Sequence, residues 1–151
     1  MEVYSPERVA KLCGDYGLQP GASLDLTNGF DFDTFADRKR AWDTVEKDEP
    51  LLIIGSPPCT YFSALQELNK HLHAGDAQWM RRFDDNLRRA KRHVAFCCKL
   101  YMHQARNNRY FLQEHPWLAR SWDMGCIREV ESLPETMRVR LDMCQFGMTS
   151  H

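Results

Sequence analysis

The sequence contains no apolar run near the roughly 20 residues needed to cross a bilayer. Its first residues, Met1-Glu-Val-Tyr4, lack the basic and apolar regions of a secretory leader. A membrane-spanning protein and an exported one are therefore not expected. Cysteine occurs six times, but never as a CxxC pair and in no regular framework. That argues against a disulfide scaffold and for a reduced, cytoplasmic setting. No metal site is expected either. Cys97, Cys98 and His103 share one helix, but adjacent cysteines point different ways and no second ligand pair has zinc spacing. His71 and His73 read as solvated turn residues. There is no internal repeat, no low-complexity tract and no charge excess. Against 21 acidic residues stand 20 basic ones, a net charge of -1, so any affinity for nucleic acid must come from local patches.

What is present suits one globular domain. The chain has 151 residues, 43% hydrophobic and 27% charged, enough to bury a real core. Short apolar runs alternate with helical periodicity. Met1–Tyr4, Ala22–Leu26, the run from Leu51 and Tyr110–Gln113 read as strands. Ser5 reads as the cap of a helix with Pro6 in its first turn, Val9, Leu12, Cys13 and Tyr16 inward, and Gly17 as its stop. Asp33 or Thr34 caps a second helix to about Lys47, with Phe35, Trp42 and Val45 inward. Ser63 and Gln66 fit a capping box for a third. A long helix follows from about Ala77 to Gln104, its apolar face running from Met80 and Phe83 through Val94 to Tyr101. Leu118, Trp122, Cys126, Ile127 and Val130 line one side of another. The alternation predicts an α/β, Rossmann-like fold, a mostly parallel sheet with helices on both faces. Met137–Leu141 alternates with period two and reads as a half-exposed edge strand, where a second copy or a partner chain could dock.

The centre of interest is Leu51-Leu-Ile-Ile-Gly-Ser-Pro-Pro-Cys-Thr-Tyr-Phe-Ser63. An apolar run of this kind suits a strand buried on both faces of a parallel sheet. The two prolines that end it stiffen the loop, and open α/β sheets hold their ligands at the carboxyl ends of such strands. Cys59 at the loop tip is a candidate nucleophile; the alternative is a small residue packed behind the loop. Glu114 ends the next strand and is a candidate proton-transfer partner; the alternative is a solvated acid. Cys13, Cys97, Cys98 and Cys126 read as core. The segment Arg81, Arg82, Arg88, Arg89, Lys91 and Arg92 could track a phosphate backbone, or could be a solvated helix face with local ion pairs. Cys59 with His115 as a thiol hydrolase is a third arrangement, for which no oxyanion hole is identified.

Gly55-Ser-Pro-Pro-Cys59-Thr-Tyr-Phe62-Ser63 resembles the Pro-Cys loop of the cytosine-5 DNA methyltransferases, G-[GS]-P-P-C-x-x-F-S. Glu114-His115-Pro116 falls where that family has E-N-V and keeps its glutamate. Gln145-Phe-Gly-Met148 is similar to the Y-G-V segment, and Phe30-Asp31-Phe32 to G-D-I. Methyltransferase-like segments of phage and retroelement polyproteins, with S-P-x-C-T-x-F-S and E-H-P, share the layout. The resemblance implies a cysteine-dependent methyltransferase using S-adenosylmethionine on a flipped cytosine in DNA, with RNA the alternative. Cys59 would add to ring carbon 6 and Glu114 would serve ring nitrogen 3. Asp25, Asp31, Phe32, Ser5, Ser56 and Pro57 would lie toward the cofactor; Pro58, Ser63, Arg88 and Arg92 toward the nucleic acid. Two departures go with it. The family's glycine-rich F-x-G-x-G-G loop is replaced by Val3-Tyr-Ser-Pro-Glu-Arg8, with no glycine. The sequence also stops at His151, before the P-Q-x-R-x-R segment and target-recognition region. These departures imply the other reading, an inactive remnant that binds nucleic acid or protein.

Overall fold

The computed structural model describes residues 1–147. Met148, the end of the segment compared with Y-G-V, lies outside the described residues. Four strands, all parallel, form a sheet in the order β2-β1-β3-β4. They are β1 (Glu2–Val3), β2 (Ser23–Leu24), β3 (Leu52–Gly55) and β4 (Tyr110–Gln113). The helices are α1 (Phe35–Asp48), α2 (Leu65–Leu72), α3 (Ala77–Arg106) and α4 (Gly125–Glu131). The step from β1 to β2 runs one way across the sheet; the later steps run the other. Right-handed crossovers then place the β1–β2 connection on one face and α1 and α3 on the opposite one.

The α1/α3 face holds the core. Val3, Ile53, Val45, Val94 and Leu100 are fully buried there. Tyr101 of α3 stacks on Phe111 of β4 with centroids 4.9 Å apart, and Trp42 of α1 meets His103 of α3 at 5.0 Å. Gln104, fully buried, donates to the carbonyls of Pro50 (2.8 Å) and Tyr110 (3.1 Å) and accepts from Arg109 Nε (3.0 Å). One amide thus ties the end of α3 to the starts of both β3 and β4, satisfying backbone groups that burial would otherwise strand.

The opposite face is thinly covered, and the first sequence expectations are corrected here. The segment after β1 is a 3₁₀ helix, Ala10–Tyr16, and Ser5 does not cap it. The buried carboxylate of Glu2 takes that place, accepting the N–H groups of Arg8 (3.0 Å) and Ala10 (2.8 Å); the Ser5 hydroxyl donates to Glu2 (3.1 Å) and lies near the Pro6 carbonyl. With three residues per turn, Ala10 and Cys13 line up while Val9 and Leu12 turn to solvent; Tyr16, the last residue of the segment, is exposed as well. Cys13 is consequently half-exposed rather than core. Gly17 does end the segment, in the left-handed conformation (φ 69°). Because so little covers this face, Leu52 is exposed and β3 is not buried on both sides; Leu51, just before the strand, is exposed as well.

Four further expectations change. Phe35 sits in the first turn of α1, exposed, while Thr34 caps that helix. The Ser63–Gln66 box does not close: α2 starts from Ala64, and the Gln66 amide donates to the Thr60 carbonyl. Leu118 is exposed, and only Ile127 and Val130 of α4 are buried. Met137–Leu141 forms no strand. Arg138 holds it against the body, lying over the Trp122 ring (4.4 Å) and pairing with Glu131, while Arg140 pairs locally with Asp142 (3.5 Å) and Met137, Val139 and Leu141 stay in solvent. The sheet's outer edges among the described residues are those of β2 and β4.

Candidate functional site

β3 hands the chain to the Pro-Cys loop at a position where only glycine fits. A Cβ on Gly55 would overlap the Tyr101 hydroxyl and stand 3.3 Å from Cys97 Sγ. Ser56 makes the last rung to β1, donating to the Val3 carbonyl (3.1 Å), and the two prolines follow. Pro57 turns inward, where its carbonyl meets His115 Nε2 at 3.0 Å. A carbonyl can only accept, so Nε2 carries the proton and Nδ1 accepts from the Ser121 hydroxyl. His115 is 8% exposed, beside Phe62 and Trp122. With both ring nitrogens committed, it holds the loop and is not placed to act as a base for Cys59.

Cys59 is half-exposed and opens the 3₁₀ turn Thr60–Phe62, its carbonyl accepting from the Phe62 N–H (2.9 Å). Glu114 is exposed, one residue past β4, and its N–H donates to the Gly55 carbonyl (3.0 Å). The register Gly55↔Gln113 thus brings the two candidate residues to the ends of adjacent strands. Cys97 and Cys98, by contrast, are core, and burial pushes the Cys97 thiol up to about 12.

A cavity of about 400 Å³ opens beside the loop at the carboxyl ends of β1, β2 and β3, where the strand order reverses. Asp25, Asp31, Phe32, Ser56 and Pro58 line it. Asp25 accepts from the Thr27 N–H and hydroxyl, and Asp31 from the Asp33 N–H. Ser5, Pro57, Cys59 and Glu114 are not part of its wall. Ser63 lines a second cavity, and Arg88 is paired with Asp85 on the surface. Arg92 reaches Asp33 at 3.7 Å.

The far wall was not read from the sequence. Tyr4, at φ 63°, lays its ring against Phe32 (4.3 Å) and bonds His93 Nδ1 (3.0 Å). His93 Nε2 lies 3.4 Å from Asp33, which Arg89 grips with its fork. The Arg89 hydrogen bonds hold the Asp33 carboxyl below the usual carboxylate range. Burial lowers the pKa of His93 despite Asp33, and burial likewise raises that of Tyr4. The available signal was weak: a tyrosine ending a two-residue strand and a histidine flanking the arginine-rich row of α3.

These shifts set an acid response. His93 and His115 are both depressed by burial below their ordinary 6.5. Between the unfolded and folded values the unfolded chain binds more protons, so stability falls as pH drops below about 6.5. Glu2, held low chiefly by the Ala10 and Arg8 N–H groups against its burial, and Asp33 start from 4.5 and 3.8, so a second loss begins below about 4.5. Urea midpoints measured from pH 8 to 3 should fall in two stages; His93→Gln should reduce chiefly the first, and the second only by the share of the Asp33 shift that His93 supplies.

S-adenosylmethionine, the cofactor that the resemblance implies, would find partners here for one half only. Aromatic rings and the carboxylates of Asp25 and Asp31 suit a nucleoside with free hydroxyls. The amino-acid half is not matched, because the Arg8 and Ala10 N–H groups that could receive a carboxylate already bind Glu2. No family model, no curated protein and no solved structure matches this chain.

Proposed function

We propose that this domain is a DNA cytosine-5 methyltransferase-like domain in which Cys59 adds to a cytosine taken out of the stack. The observation that carries this reading is the His115-held loop, which follows β3 and carries Cys59, while Glu114 follows the adjacent strand β4 and an aromatic-walled cavity lies beside the loop. The Cys59 thiolate forms a bond to ring carbon 6, the C5–C6 π pair moves to carbon 5, and Glu114 gives a proton to ring nitrogen 3. Carbon 5 then takes an electrophile, and solvent can supply it as a proton. S-adenosylmethionine, where bound, supplies a methyl group instead. The original C5 hydrogen leaves as a proton to solvent, its bonding pair re-forms the C5–C6 double bond, the C6–S pair departs with Cys59 as thiolate, and the nitrogen-3 proton returns to Glu114.

The test separates addition from transfer. Cytosine C5–H in a short DNA should exchange with deuterated solvent, and DNA bearing 5-fluorocytosine should form a covalent adduct when S-adenosylmethionine is added. Cys59→Ala should abolish both, and Glu114→Gln should slow exchange by about 100-fold or more. No exchange and no adduct would sink the reading. The Glu2 carboxylate in the place of a ligand's carboxylate favours a second reading, a nucleic-acid-binding module that methylates nothing. It expects no thermal shift with S-adenosylmethionine, and DNA binding that survives Cys59→Ala and weakens with salt.

A further inference from the structure

Tyr61, two residues past Cys59, stands between two cavities. One is the nucleoside-like cavity above; the other, of about 330 Å³, opens between α2, α3 and the Arg120–Asp123 turn. Its floor is apolar: Phe62, Phe83, Leu87 and Met124 join Tyr61, whose ring meets Phe83 edge-on at 5.6 Å. Three cations ring the mouth, Lys70, Lys91 and Arg120, against two carboxylates, Glu67 and Asp123. The carboxylates are already engaged. Glu67 binds both Arg120 and Lys70, and Asp123 binds Arg128 (3.2 Å), which comes from outside the mouth. Lys91 makes no ion pair among the described residues. One turn before it on α3 lies Arg88, itself paired with Asp85, so among the described residues Lys91 is the unpaired cation at this point of the mouth.

A recess with an apolar, partly aromatic floor and an unpaired ammonium at its lip suits a group that is aromatic at one end and anionic at the other. Its volume, near the lower end of small-ligand pockets at about 300 Å³, suits a single nucleoside. Its wall includes Tyr61 and Ser63, two and four residues past Cys59 on the same loop. We infer that this cavity takes the nucleobase next to the reacting cytosine in an opened or single-stranded nucleic acid. The base lies against Tyr61 and Leu87, and Lys91 meets its phosphate. The inference rests on the proposed cytosine chemistry for the identity of the neighbouring base, but its test does not need that chemistry to occur.

The test uses fluorescently labelled single-stranded DNA with one cytosine, its neighbours either intact or abasic, and reads affinity by anisotropy. The full chain should bind the intact strand about tenfold more tightly than the abasic one, a fold-change within the range of base–aromatic stacking. Leu87→Trp, which fills the recess, and Lys91→Glu, at an exposed position, should each remove most of that difference. Lys99→Glu, the same charge change elsewhere on α3, should leave it intact. A tenfold preference that responds to these variants supports the inference whether or not the 5-fluorocytosine adduct forms. Equal affinity for the two strands overturns it even where the adduct does form. No DNA binding at all, or binding of an acidic peptide in its place, overturns it too.

Discussion

Gly55→Ala should lower folding stability by about 3 kcal/mol, measured by urea unfolding, a large share of the 5–15 kcal/mol that holds a domain together. The new methyl would overlap the Tyr101 hydroxyl, stand 3.0 Å from its Cζ and 3.3 Å from Cys97 Sγ. None of these can step aside easily, because Tyr101 is 1% exposed and Cys97 is fully buried. Tyr101→Phe removes the worst overlap and leaves the 3.0 Å contact, so the double variant should recover part of the loss. That recovery would appear as a coupling energy of about 1 kcal/mol or more. Gly55→Ala as stable as the parent, or no coupling with Tyr101→Phe, would show that the close approach of strand and helix is not what requires glycine.

His115→Ala should be of similar size, about 3–5 kcal/mol. It leaves the Pro57 carbonyl and the Ser121 hydroxyl without their partner and opens a void between Phe62 and Trp122. An unmet buried polar group costs about 1–3 kcal/mol, and the void adds to that. Ser121→Ala, losing one hydrogen bond, should cost about 1 kcal/mol. The loop offers an independent readout: alkylation of Cys59 in folded His115→Asn should depart from the parent rate, since Asn cannot span both partners. An unchanged rate would mean that Cys59 is positioned without the histidine.

The sequence exposed the parts governed by local chemistry. β4 has the expected bounds, and α3 starts at its Asp76 cap as the Ala74-Gly75-Asp76 break suggests. Its apolar row is the buried face, and the parallel sheet follows from the alternation of strands and helices. What was hidden depended on distant partners. Glu2 looks like a surface acid until the segment after β1 folds its N–H groups onto it. His115 looks like a departure from an E-N-V motif until Pro57 and Ser121 are seen on either side of it. Met137–Leu141 has a strand's alternation, but with each apolar residue set beside an arginine that finds its partner elsewhere, no ladder forms. The candidate site was legible as a set of strand ends. Its aromatic wall, built from Tyr4 and the long-range contact of α3 with Asp33, was not.

β1 is only two residues long, yet it is the one strand with β2 on one side and β3 on the other. During synthesis it precedes both neighbours, and the partner of Glu2 on its second side is Ile54, beyond all of α1. At ribosomal speeds of about 5–20 residues per second, the first strand waits some seconds with one flank bare. The last hydrogen bonds of that wait are made by Ile54 to the Met1 carbonyl and Ser56 to the Val3 carbonyl. The second flank of β1 is therefore closed by the residues that lead into the Cys59 loop, and β4 joins the far side of β3 only after about another 55 residues have been made.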